Sequence, residues 1–340
     1  MTAACIFGCA GPRLGGEEAA FFRDVDPWGF ILFGRNVETP GQVRALTDAL
    51  RAAVDRPDAP VLIDQEGGRV QRLGPPHWRR YPPARAFAAL PRDGPGGAVE
   101  MVRLGARLMA HDLAGLGVNV DCAPVLDVPA PGAHDIIGDR AYGETARDVA
   151  ALGRAAAEGL LAGAVLPVIK HIPGHGRATA DSHVALPVVE ASLAELEARD
   201  FAPFKALGDM PVAMTAHVLY PAVDARRPAT TSPLVIERVI RGAIGFDGLL
   251  ISDDLSMQAL SGGLADRARD CLAAGCDVAL HCNGAMAEMK AVADGTAPLT
   301  ARAAARAAAA LARVAGPPEP FDVEAARRDF DAAFSDRWAA

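Results

Sequence analysis

One alternation runs through almost the whole sequence: a short apolar run that suits a buried strand, followed in most cases by an amphipathic helical pattern. Eight such apolar runs occur, at 3–8, 29–33, 60–64, 118–125, 165–171, 211–217, 248–253 and 277–282. The helical patterns between them include 40–54, 99–117, 144–163, 232–245 and 264–275. Continuous apolar runs are typical of parallel strands that are covered on both faces. The eight units therefore predict a closed (β/α)8 barrel rather than an open doubly wound sheet.

Glycine ends several of the helical patterns directly before the next strand. The positions are Gly117, Gly163, Gly245 and Gly275. A helix often ends at a residue in the left-handed conformation, which glycine adopts without steric cost. The four positions are therefore predicted to be left-handed helix caps.

The domain organisation follows from the absence of any break in the pattern. No glycine- and serine-rich linker and no change in composition divides the chain, so residues 1–340 are expected to form a single domain. The alanine-rich C-terminal segment predicts helices over 299–340 that pack on the outside of the barrel. Prolines recur in 73–95, and so long a connection after the third strand is expected to lie over the barrel mouth.

The composition excludes several kinds of partner. A hydrophobic content of 51% with 22% charged residues supports a large core, and a net charge of −8 does not suit a general nucleic-acid binder. The six cysteines are scattered without a zinc-site spacing, which favours reduced thiols and a reducing compartment. No apolar run reaches the length of a membrane span, and the N-terminus lacks the basic start of a signal peptide. We therefore expect a cytoplasmic protein with no membrane and no nucleic-acid partner.

Polar residues stand at the C-terminal ends of the otherwise apolar strands. In a (β/α)8 barrel these ends meet at one mouth, where active sites lie. A lone polar residue there often serves only as a structural hydrogen-bonding group. That simpler interpretation suits three of them taken singly, namely Asp121, His217 and His281. The coincidence across several strands favours a functional site for Asp64, Lys170 and Asp253.

Three reaction classes could use such a mouth. A metal-dependent hydrolase is disfavoured because no cluster of histidines or cysteines has a ligand spacing. A Schiff-base lyase could use Lys170 as its nucleophile if burial lowered the pKa of that amine. A glycosidase needs a carboxylate nucleophile, which Asp253 could supply, and a proton donor, for which Glu66 is the usual kind of group. The strand-end residues alone leave the last two classes open.

The segment 170–183 reads KHIPGHGRATADSH and connects an apolar strand to a helical pattern. Its proline and glycines prevent regular structure, so it is a loop of the kind that often carries function. Asp181 and His183 are two positions apart, and in an extended segment their side chains lie on one side and can hydrogen-bond. A carboxylate bound to one ring nitrogen fixes the tautomer and prepares the imidazole to act as an acid and then as a base. The spacing alone is also typical of a surface hydrogen bond.

Six motifs in this order carry a family resemblance. They are IDQEGGRVQRL (63–73), GDRAYG (138–143), KHIPGHG (170–176), DSHVALP (181–187), MTAHVLYPAVD (214–224) and ISDDLSM (251–257). Together they resemble the bacterial β-N-acetylhexosaminidases of glycoside hydrolase family three. The resemblance implies a (β/α)8 barrel that removes terminal N-acetylglucosamine with retention of configuration. It also implies a role in cell-wall recycling in the cytoplasm, with muropeptides that carry anhydro-N-acetylmuramic acid as substrates, and a monomer that needs no metal or other cofactor.

By motif position, Asp253 resembles the nucleophile of that family and His183 its acid/base, with Asp181 as the partner of the histidine. Five further residues resemble its sugar-binding groups: Asp64, Arg72, Arg140, Lys170 and His171. Asp254 is expected to cap or support rather than to react, and His175 is interpreted as structural, with its ring satisfied by the loop. An N-acetylglucosaminide phosphorylase and a sugar-binding barrel without turnover stay open as alternatives.

Overall fold

The computed structural model describes residues 1–334 and contains a closed parallel barrel. Its strands are β1 (Ala3–Gly8), β2 (Pro27–Leu32), β3 (Val61–Ile63), β4 (Gln65–Gly67), β5 (Val70–Gln71), β6 (Val120–Asp121), β7 (Leu166–Ile172), β8 (Val212–Thr215), β9 (Leu249–Asp254) and β10 (Val278–His281). The barrel order is β1, β10, β9, β8, β7, β6, β3 and β2, with β4 and β5 paired separately. Each barrel strand overlaps one of the eight apolar runs, so the prediction of a (β/α)8 barrel is confirmed.

Helices surround the barrel. They are α1 (Gly16–Val25), α2 (Pro40–Ala53), α3 (Ala98–Gly115), α4 (Ala146–Ala162), α5 (Leu193–Glu195), α6 (Ala202–Ala206), α7 (Leu264–Ala274), α8 (Met286–Gly295), α9 (Ala301–Ala312) and α10 (Val323–Phe334). Between β8 and β9 the expected helix forms as wider π-type turns over Val235–Ala243. A second π-type stretch, Leu196–Asp200, joins α5 to α6. Within residues 1–334, no helix has both the length and the apolar character needed to cross a membrane.

The barrel strands are apolar over most of their length because both of their faces are buried. Ile6, Leu62 and Val168 belong to one buried cluster inside the barrel. Phe7 and Ile169, one position further along their strands, belong to the cluster between the strands and the helices. Burial of one aliphatic side chain contributes about 1.5–3 kcal/mol to folding, so both layers stabilise the barrel.

Three of the four glycines predicted to be left-handed caps have that conformation. The φ angle is 76° at Gly117, 78° at Gly245 and 115° at Gly275. The prediction is wrong for Gly163, where φ is −89°, and the next residue, Ala164, is left-handed instead with φ of 59°. Packing explains this glycine, because a Cβ at position 163 would lie 2.2 Å from the Cβ of an alanine in α3.

The first part of the third connection, rather than the proline-rich part expected there, lines the barrel mouth. After β3 the chain forms the antiparallel hairpin β4–β5, and five residues within 64–72 line the cavity described below. Among the described residues, none in 73–95 lines that cavity. This proline-rich stretch instead backs the hairpin, where Gly67 and Gly68 lie so close to Pro82 and Pro83 that a Cβ on either glycine would clash.

The C-terminal helices cover two different parts of the barrel. Arg306 of α9 pairs with Asp277 at the start of β10, at 3.1 Å, so α9 lies at the N-terminal ends of the strands. In α10, the ring of Phe330 packs on Gly105 of α3, where a Cβ would lie 2.7 Å from the ring. Residues 335–340, which belong to the predicted C-terminal helices, lie outside the described residues. A single domain over 1–340 stays a prediction.

Candidate active site

Seven of the eight residues predicted for the site line one cavity at the C-terminal ends of the strands. The cavity has a volume of about 850 Å³, part of it open to solvent. The seven are Asp64, Arg72, Arg140, Lys170, His171, His183 and Asp253. The eighth, Asp181, hydrogen-bonds to His183 from outside the lining. Residues from distant parts of the chain therefore meet around one concave space, the kind of place where small-molecule ligands bind.

Lys170 lies between two carboxylates at the centre of the site. Its Nζ is 2.9 Å from Asp64 Oδ1 and 2.7 Å from Glu66 Oε1. Asp64 also binds Arg72 Nη2 at 2.9 Å through its other oxygen. Glu66 binds Arg140 through two hydrogen bonds of 2.8 Å each. The result is a row of alternating charge in which three cations and two anions leave a net charge of +1.

The charges in this row fix the protonation states. Burial alone would favour neutral acids, but Lys170 and Arg72 hold the pKa of Asp64 well below its usual range. Burial likewise opposes ionisation of Glu66, yet Lys170 and Arg140 lower its pKa to about 2. Against the effect of burial, the two carboxylates raise the pKa of Lys170. Lys170 is therefore a charged ammonium, which cannot act as a Schiff-base nucleophile, and Glu66 has no proton to donate near neutral pH.

Asp253 near the end of β9 presents an ionised oxygen to the cavity. The residue is only 8% exposed, and its Oδ1 accepts a hydrogen bond of 2.8 Å from the N–H of Asp254. Burial opposes its charge, but His171, His217 and that N–H keep the pKa of Asp253 below its ordinary value. A buried carboxylate that stays charged is suited to act as a nucleophile.

Two buried histidines are held in fixed orientations close to Asp253. His171 donates from Nδ1 to Asp127 Oδ2 at 2.7 Å. His217 donates from Nε2 to the carbonyl oxygen of Asp254 at 2.9 Å, and its Nδ1 lies 2.7 Å from Thr230 Oγ1. Burial lowers the pKa of His217, and the carbonyl oxygen, which can only accept, requires a proton on Nε2. These contacts agree with the simpler interpretation of His217 as a structural hydrogen-bonding group.

Asp181 and His183 pair on the loop between β7 and α5. Nδ1 of His183 lies 2.8 Å from Asp181 Oδ1, which also accepts the backbone N–H of His183 at 2.9 Å. The segment is not extended as expected, because the N–H of Val184 donates to the carbonyl oxygen of Asp181 at 2.9 Å and closes a turn. An ionised carboxylate only accepts, so the shared proton lies on Nδ1 and Nε2 can exchange a proton with a ligand. The histidine side chain is 59% exposed and is accessible at the rim.

The other polar strand-end residues lie in structural surroundings. Asp254 caps the turn after β9, as expected, by accepting from the N–H and the hydroxyl of Ser256 at 3.1 and 2.6 Å. Asp121 accepts the first N–H of β4 at 3.0 Å, and burial raises its pKa well above the ordinary value. His281 is fully buried, and its Nε2 lies 3.3 Å from Glu288 Oε2.

Two residues that hold the site together were not among those predicted for it, and one interpretation was wrong. The sequence suggested Glu66 only as a proton donor, and no motif marked Asp127. The available signal was that each is an acid two positions beyond one of the apolar runs. The ring of His175 is not satisfied by the loop as expected. Its Nδ1 is buried without a hydrogen-bond partner among the described residues, and burial lowers its pKa to about 4.

The arrangement defines a class of protein before any comparison. A (β/α)8 barrel whose mouth combines a row of three cations and two carboxylates, a further buried ionised carboxylate and a histidine at the rim suits a glycoside-processing enzyme. Over residues 1–334, no group of three or more histidine, cysteine, aspartate or glutamate side chains could hold a metal ion.

The comparisons with known proteins identify the family. A family model described as the glycosyl hydrolase family 3 N terminal domain matches residues 17–315. The β-hexosaminidase of Methylococcus capsulatus is 42% identical over 282 residues, which cover 82% of this chain and 82% of that protein. The chain therefore belongs to glycoside hydrolase family 3, among its bacterial β-hexosaminidases.

Solved structures share the fold. Crystal structures of NagZ from Neisseria gonorrhoeae, native and in complex with N-trifluoroacetyl-D-glucosamine, both have a TM-score of 0.84, with 33% and 32% identity. Each match covers 98% of this chain. It covers 96% of the chain in the native structure and 97% of the chain in the complex. A glycoside hydrolase family 3 β-N-acetylglucosaminidase from Paenibacillus sp. str. FPU-7 has a TM-score of 0.79 and 32% identity over 99% of this chain. This chain spans only 62% of that longer protein.

Proposed function

We propose that this enzyme is a retaining exo-β-N-acetylglucosaminidase in which Asp253 is the nucleophile and His183, paired with Asp181, is the acid and base. The observation that carries the proposal is that Asp253 and His183 line the same cavity. Their environments suit different tasks, because Asp253 is buried and ionised whereas His183 is exposed at the rim. Glu66, the other acid considered for proton donation, is held ionised by Lys170 and Arg140.

The proposed reaction has two steps. In the first, His183 donates the proton on Nε2 to the glycosidic oxygen while Asp253 attacks the anomeric carbon, so the leaving group departs and a covalent glycosyl-enzyme forms. In the second, Nε2 takes a proton from a water molecule whose oxygen attacks the same carbon and releases Asp253. Two inversions give net retention. Asp181 stabilises the imidazolium that exists whenever both ring nitrogens carry protons.

The row of alternating charge binds the sugar in this proposal. Arg72, Arg140 and Lys170 donate charge-assisted hydrogen bonds to its hydroxyl groups, and Asp64 accepts from one of them. His171, fixed by its bond to a buried carboxylate, supplies a further polar contact next to the nucleophile. One gonococcal NagZ structure is a complex with an N-acylated glucosamine, which supports N-acetylglucosamine as the sugar.

The natural substrates we propose are muropeptides in which N-acetylglucosamine is joined to anhydro-N-acetylmuramic acid, hydrolysed by a cytoplasmic monomer during cell-wall recycling. The kinship with bacterial β-hexosaminidases supports this, and so does the solvent-open side of the cavity, which leaves space for a long leaving group. The test is incubation of the enzyme with a purified anhydro-muropeptide, with and without phosphate. Free N-acetylglucosamine at equal rates supports hydrolysis of this substrate. A sugar phosphate would indicate a phosphorylase, and cleavage of a chromogenic N-acetylglucosaminide alone would contradict the proposed substrate.

A further inference from the structure

Helix α10 lies beyond residues 17–315, the part of the chain that the family model matches. It nevertheless contacts Arg79 and Tyr81, which hydrogen-bond to the hairpin β4–β5. That hairpin carries Glu66 and leads directly into Arg72. We propose that α10, through Phe330, holds this hairpin so that Arg72 and Glu66 stay in their sugar-binding geometry. Phe330 is then a positioning residue for the reaction, and this inference rests on the proposed sugar-binding role of Arg72.

Phe330 is the centre of an aromatic cluster between α10 and the barrel. The residue is 1% exposed. The centroid of its ring lies 6.0 Å from that of Tyr81, 6.2 Å from that of Phe87 and 5.0 Å from that of Phe334. The ring also packs on Gly105 of α3, where a Cβ would lie 2.7 Å from the ring. The cluster therefore fixes both the depth of α10 on α3 and the position of the segment around Tyr81.

Charged groups tie the same segment to both helices. The guanidinium of Arg79 lies 5.0 Å from the ring centroid of Phe330 and 5.4 Å from that of Tyr81. Arg79 also forms an ion pair with Asp331 of α10. On the other side, the hydroxyl of Tyr81 donates to Asp112 of α3 at 3.3 Å. Residues 79–81 are thus held between α3 and α10.

Hydrogen bonds connect residues 79–81 to the hairpin. The side chain of Gln71 in β5 accepts the N–H of Tyr81 at 2.9 Å and donates to the carbonyl oxygen of Arg79 at 2.7 Å. At the turn of the hairpin, the N–H of Gly68 donates to the carbonyl oxygen of Tyr81 at 2.9 Å. The contacts of α10 therefore reach the hairpin through residues 79–81.

The hairpin in turn sets the backbone of the sugar-binding residues. Gln65 Oε1 accepts the N–H groups of Arg72 and Leu73, at 3.0 Å each, so β4 orients the start of the arginine side chain. Glu66 in β4 holds Arg140 and Lys170. The strands of this hairpin have three and two residues, and an isolated two-stranded hairpin is at most marginally stable. Support from behind is therefore needed to keep these side chains in place.

The experiment compares two buried phenylalanines that each contact an arginine. Phe330→Leu should raise KM for 4-nitrophenyl N-acetyl-β-D-glucosaminide by about 3- to 10-fold with kcat within about twofold, because looser binding groups weaken the ground state and the transition state alike. The matched control is Phe246→Leu. Phe246 is fully buried before β9, with Arg241 5.4 Å from its ring centroid. This control should lower the melting temperature without raising KM.

Asp331→Asn serves as a milder second variant, because it removes the ion pair with Arg79 from an exposed position of α10 and leaves the core intact. Hydrogen–deuterium exchange of the peptide covering 65–73 should be faster in Phe330→Leu and Asp331→Asn and unchanged in Phe246→Leu. The inference is overturned if both α10 variants keep the wild-type KM and exchange rate, or if Phe246→Leu raises KM as much as Phe330→Leu does. Arg72→Lys distinguishes a failure of the proposed sugar-binding role of Arg72 from a failure of the proposed role of α10. If it leaves KM unchanged, the proposed binding role of Arg72 fails; if it raises KM while the α10 variants do not, only the role of α10 fails.

Discussion

Glu66 holds Arg140 through two parallel hydrogen bonds, each 2.8 Å long, and both side chains are almost buried. A two-point contact of this kind fixes both the distance and the direction of a guanidinium. A third contact, 2.7 Å to Lys170 Nζ, ties a second cation to the same carboxylate. Glu66 thus orients two of the groups proposed to bind the sugar before any sugar arrives, which reduces the cost of ordering them on binding.

Glu66→Gln is expected to lower kcat/KM for an N-acetylglucosaminide by about 10- to 100-fold and to lower the melting temperature. The amide keeps the size of the side chain but removes the negative charge that compensates Arg140 and Lys170. Loss of one partner from a buried ion pair typically costs about 3–5 kcal/mol, and the remaining amide oxygen recovers part of that. Steady-state kinetics and thermal unfolding measure the two effects.

A surface ion pair supplies the control for this variant. Glu144 lies 2.7 Å from Arg85, and its side chain is 77% exposed. Exposed pairs contribute about 0–1 kcal/mol, so Glu144→Gln should change neither kcat/KM nor the melting temperature appreciably. Wild-type kinetics in Glu66→Gln would contradict the orienting role of Glu66.

The nucleophile can be identified by trapping. A fluorinated hexosaminide with a good leaving group should leave a mass adduct on the peptide that contains Asp253, because the fluorine slows release of the glycosyl-enzyme. Asp253→Asn should abolish the adduct and lower kcat on the order of 10⁴-fold. Asp254→Asn should still form the adduct, since the Asp254 carboxylate binds the turn at Ser256. An adduct on any other carboxylate would remove Asp253 from this role.

The barrel and part of its site were predictable because their signals are local. Burial on both faces makes each barrel strand a continuous apolar run, and the barrel geometry brings Asp64, Lys170 and Asp253 to one mouth. The hairpin β4–β5 was not predictable, since strands of three and two residues are too short to show a period. The choice of Glu66 as the partner of Arg140 depends on a distance between residues 74 positions apart, which spacing along the chain does not contain.

Asp181 and His183 show most clearly the limit of what the sequence predicts about the site. Their separation by two positions predicted a hydrogen bond, and the bond is present at 2.8 Å. A turn produces it rather than the extended segment from which it was predicted. The same spacing occurs in surface pairs without function, so the catalytic interpretation came from the family resemblance and not from the two residues themselves.

The dyad gives a prediction that depends on the leaving group. His183→Ala should lower kcat/KM by about 10²- to 10⁴-fold on a disaccharide, whose departing oxygen needs a proton. The loss should be much smaller on an aryl glycoside whose phenolate leaves unprotonated. Asp181→Asn should also lose more activity on the disaccharide than on the aryl glycoside. Both losses should be smaller than in His183→Ala, because the ring remains but its orientation is less well fixed. Rates for a series of aryl leaving groups measure this dependence, and equal losses across the series would exclude His183 as the proton donor.

Asp121 allows a test of stability against pH. Its carboxyl is fully buried, and Oδ2 has no hydrogen-bond partner in the described part of the chain. Burial raises its pKa well above the ordinary value of 3.8, so the folded protein keeps a proton that the unfolded chain releases above about pH 4. The stabilising contribution is therefore complete below pH 3.8 and declines as the pH rises toward the folded pKa. Asp121→Asn does not ionise in either state and lacks this decline.

The difference in free energy of unfolding, Asp121→Asn minus wild type, should therefore shift in favour of the variant from pH 4 to pH 7. The shift should be about 1.4 kcal/mol per pH unit until the folded pKa is reached. Urea unfolding of both proteins at each pH measures it, and titrations common to the two proteins cancel in the difference. A rise of this difference with pH is the expected result. A difference that stays constant would mean that Asp121 is ionised in the folded protein, and Lys170 would then have three carboxylates rather than two to neutralise it.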